Sequence, residues 1–221
     1  MAALLTPGNP PQPVVLEGRT VRVRPLEIGR DAAALFAAVQ DAPARIFRYL
    51  PIEPPATAAV LAEQLGDWQA RPATLQFLFE DVASGRPAGT ASFMRIVPEH
   101  RVLEVGFVVM APWAQRSIRS TEAQYLLARH VFEDLGYRRY EWKCDDRNAA
   151  SRAAAERLGF VYEGTFRAHM IVKGENRDTA WFAMTDADWP LRKRTFEAWL
   201  HPDNFDAGGR QKIGMAGMGA A

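Results

Sequence analysis

Residues Gly136–Phe160 read GYRRYEWKCDDRNAASRAAAERLGF. Tyr140, Trp142 and Cys144 alternate with charged residues, the period of a strand. Asn148 stands where a helix cap belongs, and an alanine-rich run follows it up to Gly159, the residue type that ends helices. The stretch therefore predicts a strand, one helix and a turn into a further strand, over about residues 139–166.

Working outward, the preceding segment Ser120–Leu135 places Ala123, Leu127, Val131 and Leu135 on one helical face, and Gly136 stops it. Thr20–Arg24 (TVRVR) alternates as a strand, and Asp31 opens a helix to Val39. Residues 41–56 hold Pro43, Pro51, Pro54 and Pro55 and are expected to be loop. Thr57 is placed to cap a helix to Gln69. Leu75–Asp81, Ala88–Ile96 and Val102–Met110 read as three strands, the first two joined by a Ser84-Gly85-Arg86-Pro87 turn. Asp178–Thr185 reads as another strand and Trp189–Leu200 as a last helix. An antiparallel front half with a βαβ-like centre is an α+β, mixed-sheet domain of six to seven strands. One domain over 15–205 is expected, between a flexible arm (1–14) and a loose Gly/Ala/Met-rich tail (206–221).

Composition excludes several function classes. The chain has 221 residues, 48% of them hydrophobic, and a net charge of +1, so it can build a core but carries no basic field for nucleic acid. Its one cysteine, Cys144, allows no internal disulfide and reads as a buried structural thiol. The first residues lack a secretory pattern, and no apolar run reaches the ~20 residues of a membrane span. A soluble cytoplasmic protein without membrane contact is expected. His100, His130, His169 and His201 lack ligand spacing, so no metal site is expected.

Glu104 is a lone carboxylate in the apolar strand Val102–Met110. Strict alternation would put Leu103, Val105, Phe107 and Val109 on one face and Glu104, Gly106, Val108 and Met110 on the other. Burying a carboxylate is costly unless it is paired or working, and burial raises its pKa. The residues alone leave two readings: a reactive group, or half of an ion pair with a neighbouring arginine.

The order of elements, the Thr121-Glu122-Ala123 helix opening, Asn148-x-x-Ser151, Leu158-Gly159-Phe160, Glu163–Arg167 (EGTFR) and Arg177–Phe182 (RDTAWF) together resemble the GNAT superfamily of N-acetyltransferases, RimJ/RimL-like branch, over about residues 15–190. The resemblance implies a GNAT fold and an acetyl-CoA-dependent transfer to a primary amine, either a peptide N-terminus or a small amine, through a ternary complex. It implies Glu104 as base, a backbone N–H near Val108 or Val109 for the carbonyl oxygen, and Asn148 as coenzyme contact. Ala155 stands where many relatives carry a tyrosine, so Ser151 is the hydroxyl left to serve the thiolate. The family's pyrophosphate loop, Gln/Arg-x-x-Gly-x-Gly/Ala, is Gln115-Arg116-Ser117-Ile118-Arg119-Ser120 here. Arg116 and Arg119 would replace the glycines by charge, and Ser117, Ser120 and Thr121 by hydroxyl hydrogen bonds. Phe47, Tyr49 and Leu50 are expected to shape the acceptor pocket. The rival readings are a non-catalytic GNAT relative binding an acyl-CoA or a protein, and an interaction module or homodimer using the helix Trp189–Leu200.

Overall fold

The structure is a computed structural model and describes residues 6–218. Its elements are β1 Leu16–Glu17, β2 Val21–Pro25, α1 Ile28–Val39, α2 Pro43–Phe47, α3 Ala58–Gln69, β3 Leu75–Asp81, β4 Pro87–Val97, β5 Val102–Met110, α4 Ile118–Arg129, β6 Arg139–Asp145, α5 Ala149–Leu158, β7 Val161–Val172, β8 Glu175–Thr185, α6 Trp189–Leu200 and α7 Met215–Met218. One sheet has the order β1-β2-β3-β4-β5-β6-β8-β7, antiparallel except between β5 and β6. Eight strands form where six to seven were expected. The addition to the seven is the two-residue β1, and the last two strands are longer than expected, meeting in a β7–β8 hairpin whose turn residues Lys173 and Gly174 have φ of 52° and 76°.

Two apolar layers cover the sheet. The larger joins α4 and α6 to one face through Leu126, Leu127, Phe196 and Trp199. The smaller joins α1, α2 and α3 to the other through Leu35, Phe47, Leu61, Leu65 and Trp68. The helix Trp189–Leu200 thus buries its apolar face on its own sheet. The helix expected over Ser120–Leu135 is α4 followed by a π turn, His130–Asp134, before Gly136 (φ 64°). Buried Glu122 fixes α4 to the β1–β2 turn: it accepts from Arg19 N (2.8 Å), Thr20 N (2.7 Å), Thr20 Oγ1 (2.5 Å) and Val21 N (3.2 Å). A carboxylate accepting several donors is a strong local clamp.

The chain ends are tied where they are described; 1–5 and 219–221 lie outside the described residues. Gly8 N donates to Pro98 O (2.9 Å). In the segment expected to be a loose tail, Asn204 accepts from Ile213 N (3.0 Å), Trp199 donates to Gln211 (2.8 Å) and Met215 is buried. Asn204 supplies partners that a Gly/Ala-rich composition does not reveal.

Candidate active site

The pairing of β5 with β6 runs from Val102↔Arg139 to Val105↔Trp142 and then stops. Beyond it, β5 stays with β4 as far as Met110↔Gly89, and β6 stays with β8 as far as Asp145↔Thr179. The two strands diverge and open a cleft through the sheet. A bulge causes this: register shifts between Thr90 and Ser92, and Phe107 has φ 50°. The bulge also corrects the alternation expected for β5. Leu103 and Val105 lie in the larger core, whereas Phe107 and Val109 lie in the smaller one, with Phe107 stacked on Trp68 at 4.1 Å. Gly106 is small for a reason: a Cβ there would fall 2.7 Å from Met94 Sδ and 3.2 Å from Glu104 Oε1.

The open edge has a definite polarity. Ala111 N donates to Ala88 O of β4, and Val109 O is directed at Gly89 of β4. Alternation then turns the Val109 N–H toward β4 and the Val108 N–H toward the cleft. Of the two expected donors, Val108 is therefore the one facing the cleft.

On the α4–α6 side, two helix N-termini flank this opening. Asn148 caps α5, its Oδ1 accepting from Ser151 N (3.1 Å), and Gly159 ends that helix at φ 93°. Ser151 Oγ accepts from Trp142 Nε1 (2.9 Å), so its own proton is directed to another acceptor. Beside it, burial pushes the Cys144 thiol above its ordinary value, against a hydrogen bond from Ser151. The thiol is buried, as expected.

The α4 start is different. Ser117 is its N-cap residue but makes no capping bond; its hydroxyl donates to Ala114 O (2.6 Å). Arg116 takes φ 55°, the left-handed turn a glycine would favour, and its side chain is exposed. The N–H groups of Ile118, Arg119 and Ser120 are left without a cap. The other replacements expected for the glycines are already engaged. Arg119 is ion-paired to Asp81, Ser120 donates to Ser117 O (2.8 Å), and Thr121 is buried and accepts from Arg157 (3.1 Å). Ile118 is half-buried against the larger core. Gln115 is held by Met110 O (3.0 Å) and Arg45 (3.2 Å). The anion-binding capacity lies in backbone N–H groups, the helix dipole and Arg116.

Glu104 points to the opposite side of the sheet, toward the α1–α3 layer. It is 5% exposed. Lys143 Nζ lies 3.1 Å from Glu104 and 2.6 Å from Glu141, with its side chain 5% exposed, and Arg95 Nε is 3.8 Å from Glu104. Burial pushes the Glu104 carboxyl up; Lys143 and Arg95 oppose this but do not cancel it. The ion pair foreseen with an arginine is therefore mainly one with a lysine. Trp181 lies under Lys143, ring centre 3.6 Å from Nζ. The sequence marks Trp181 only as a core residue and does not mark Lys143, although Glu141, Lys143 and Asp145 form one charged row on a strand central to the sheet. A charged row there must be paired internally rather than solvated.

The expected acceptor residues divide. Phe47 is buried in the smaller core, because residues 43–47 form the short helix α2 inside a segment expected to be loop. Leu50 packs partly on that core. Tyr49 donates to Arg147 O (3.2 Å), and Lys173 at the β7–β8 tip donates to Phe47 O (2.9 Å), so the hairpin leans over this loop. Among the described residues no cluster of His, Cys, Asp or Glu could hold a metal, and no helix is long and apolar enough to cross a membrane.

Comparison with known proteins agrees with this geometry. The family model described as an acetyltransferase (GNAT) domain matches residues 20–161. A GCN5-related N-acetyltransferase from Brucella melitensis is 44% identical, with TM-score 0.94, over 98% of this chain and 99% of that one. RimJ from Mycobacterium smegmatis, solved in complex with CoA-disulfide, shares the fold at 23% identity and TM-score 0.67, over 84% and 92% of the two chains. YdaF from Bacillus subtilis (strain 168), provisionally named a ribosomal N-acetyltransferase, is 25% identical over 143 residues, 64% of this chain and 78% of that protein.

Proposed function

The chain belongs to the GNAT acetyltransferase family, and from that premise we propose that it transfers an acetyl group from acetyl-CoA to a primary amine, a peptide N-terminus or a small amine, by direct attack in a ternary complex. Acetyl-CoA, when bound, supplies the activated thioester. The uncapped N–H groups of Ile118, Arg119 and Ser120, with Arg116, would hold its pyrophosphate. The Val108 N–H at the open edge of β5 donates to the carbonyl oxygen as charge develops there. Glu104 takes the proton lost by the attacking amine, and its raised pKa brings it toward the range a base near neutral pH needs. Ser151 Oγ donates a hydrogen bond to the departing sulfur, which takes its proton from solvent. Lys143 keeps the Glu104 carboxylate oriented. The acceptor enters from the α1–α3 side, past Tyr49 and Leu50.

One observation carries this reading. Glu104 on β5 and Ser151 on α5 lie on opposite sides of the sheet, beside the place where β5 and β6 part. A proton can leave the amine on one face while the thiolate is stabilised by a hydrogen bond on the other. The test is acetyl transfer to a panel of peptides and small amines, with Glu104→Gln and Ser151→Ala compared to wild type. Unchanged rates in both variants would remove the two assignments.

The ribosomal acceptor in the name of YdaF favours a peptide N-terminus. Such an amine has a pKa of about 7.7–8.0 and is easily deprotonated by a nearby carboxylate.

A further inference from the structure

The sheet face that carries Glu104 continues into a group of donors that the reaction above leaves unused. On β8, Arg177, Thr179 and Trp181 are spaced by two and project to one face. The register sets Trp181 opposite Lys143 and Arg177 opposite Met170. The Arg95 guanidinium lies 5.7 Å from the Trp181 ring centre and its Nε 3.8 Å from Glu104. Arg95 and Trp181 are therefore contiguous with Glu104, and Arg177 lies further along the same face of β8.

Its charges are not balanced within the protein. Lys143 is held by Glu104 and Glu141, and Asp145 is bonded to Arg147 at 2.9 Å. Among the described residues Arg177 has no carboxylate at ion-pair distance, and its Nε is buried without a hydrogen-bond partner. Trp181 Nε1 is buried and unpartnered as well. Arg95, with its side chain 58% exposed, has only the distant oxygen of Glu104. His169, bonded to Thr179 Oγ1 at 2.9 Å, sits where these fields overlap: burial, then Arg177, Arg95 and Lys143, keep its imidazole below the ordinary value. Phe166, 52% exposed and 4.6 Å from Trp181, adds an apolar wall.

Buried donors without acceptors are costly, and a planar guanidinium matches a carboxylate. We propose that the acceptor carries a carboxylate a few bonds from its amine, and that Arg177, Arg95 and Trp181 Nε1 hold it while the amine meets Glu104. The acceptor is then an amino-acid-like small molecule or a peptide with Asp or Glu near its N-terminus. The assignment rests on the acetyl-transfer reading and adds the acceptor's class.

The test compares kcat/KM for matched pairs: Ala-Glu-Ala against Ala-Gln-Ala, both as C-terminal amides, and β-alanine against its amide. The carboxylate member of one pair should be preferred by about tenfold or more, and the pair that shows it identifies the source. Arg177→Gln and, at an exposed position that tolerates exchange, Arg95→Gln should each pull that ratio toward one. Arg138→Gln, at the other end of β6, should leave it intact. Equal use of both members, or a ratio that survives both variants, overturns the proposal. The same compounds are also titrated into CoA-saturated wild-type protein, which needs no turnover. Tighter binding of the carboxylate member without acetyl transfer would count against the catalytic reading alone, whereas equal binding would sink the carboxylate site.

Discussion

The two sides of the cleft solve opposite problems. On one side the charges next to Glu104 on β5 and β6 form a chain of ion pairs: Glu104 to Lys143, Lys143 to Glu141, Glu141 to Arg139 (2.7 Å) and Arg139 to Glu163 (2.5 Å). On the α4 side the donors are left open, because Ser117 turns its hydroxyl to Ala114 and does not cap the helix. Neighbouring α5, which Asn148 does cap, shows what an ordinary helix start looks like in the same chain. A paired site keeps one carboxylate poised and oriented. An unpaired one leaves free energy of hydrogen bonding for a ligand to collect. Damage to the first side should therefore appear in rate and pH dependence, and damage to the second in coenzyme affinity.

The largest expected effect tests the separation directly. Glu104→Gln should lower kcat/KM by about 10² to 10⁴ while acetyl-CoA affinity measured by calorimetry stays put. A matching loss of affinity would merge the two sides. Next is Ser117→Asp, which offers α4 the cap it lacks and places a negative charge where the pyrophosphate would bind. Acetyl-CoA should bind on the order of 100-fold more weakly, with thermal stability equal or higher. If affinity holds, the open N–H groups are not the binding element.

A third prediction concerns pH. Lys143 opposes the upward shift of Glu104, so Lys143→Met should move the acid limb of the kcat/KM profile to higher pH. An unmoved limb would mean that another group titrates. The fourth effect is small and concerns stability. The folded-state pKa of Glu104 lies above its unfolded value, so the native state holds that proton longer as pH rises. The contribution of Glu104 to stability therefore falls as pH rises between the ordinary carboxylate value and the raised one. Glu104→Gln should gain thermal stability relative to wild type across that window, and a constant difference would contradict the shift. Smallest and most local, Asn148→Ala should cost about 1 kcal/mol in denaturant unfolding.

Much of this was legible in the residues. Leu75–Asp81, Val102–Met110 and Trp189–Leu200 have the bounds their patterning predicts. Thr57, Asn148 and Gly159 cap as their chemistry predicts, because capping is local. What stayed hidden depends on tertiary contacts. The bulge at Phe107 reverses the alternation of β5, and its neighbour Gly106 is the one local sign of a splay there. Arg119 is drawn away by Asp81, 38 residues distant, so a loop that reads as two phosphate-binding arginines retains one. Lys143 becomes a neighbour of Glu104 only through the β5–β6 register, and Trp181 through the β6–β8 register. Phe47 is core because Pro43 starts a helical turn inside a proline-rich stretch. In each case the pattern sets the element and a distant partner sets the role.

The central claim is that a helix start without glycines, left uncapped, still grips the coenzyme. Calorimetric titration of the wild-type protein with acetyl-CoA tests it most directly. One saturable site per chain with micromolar affinity is the result expected, and no heat at millimolar acetyl-CoA would contradict it.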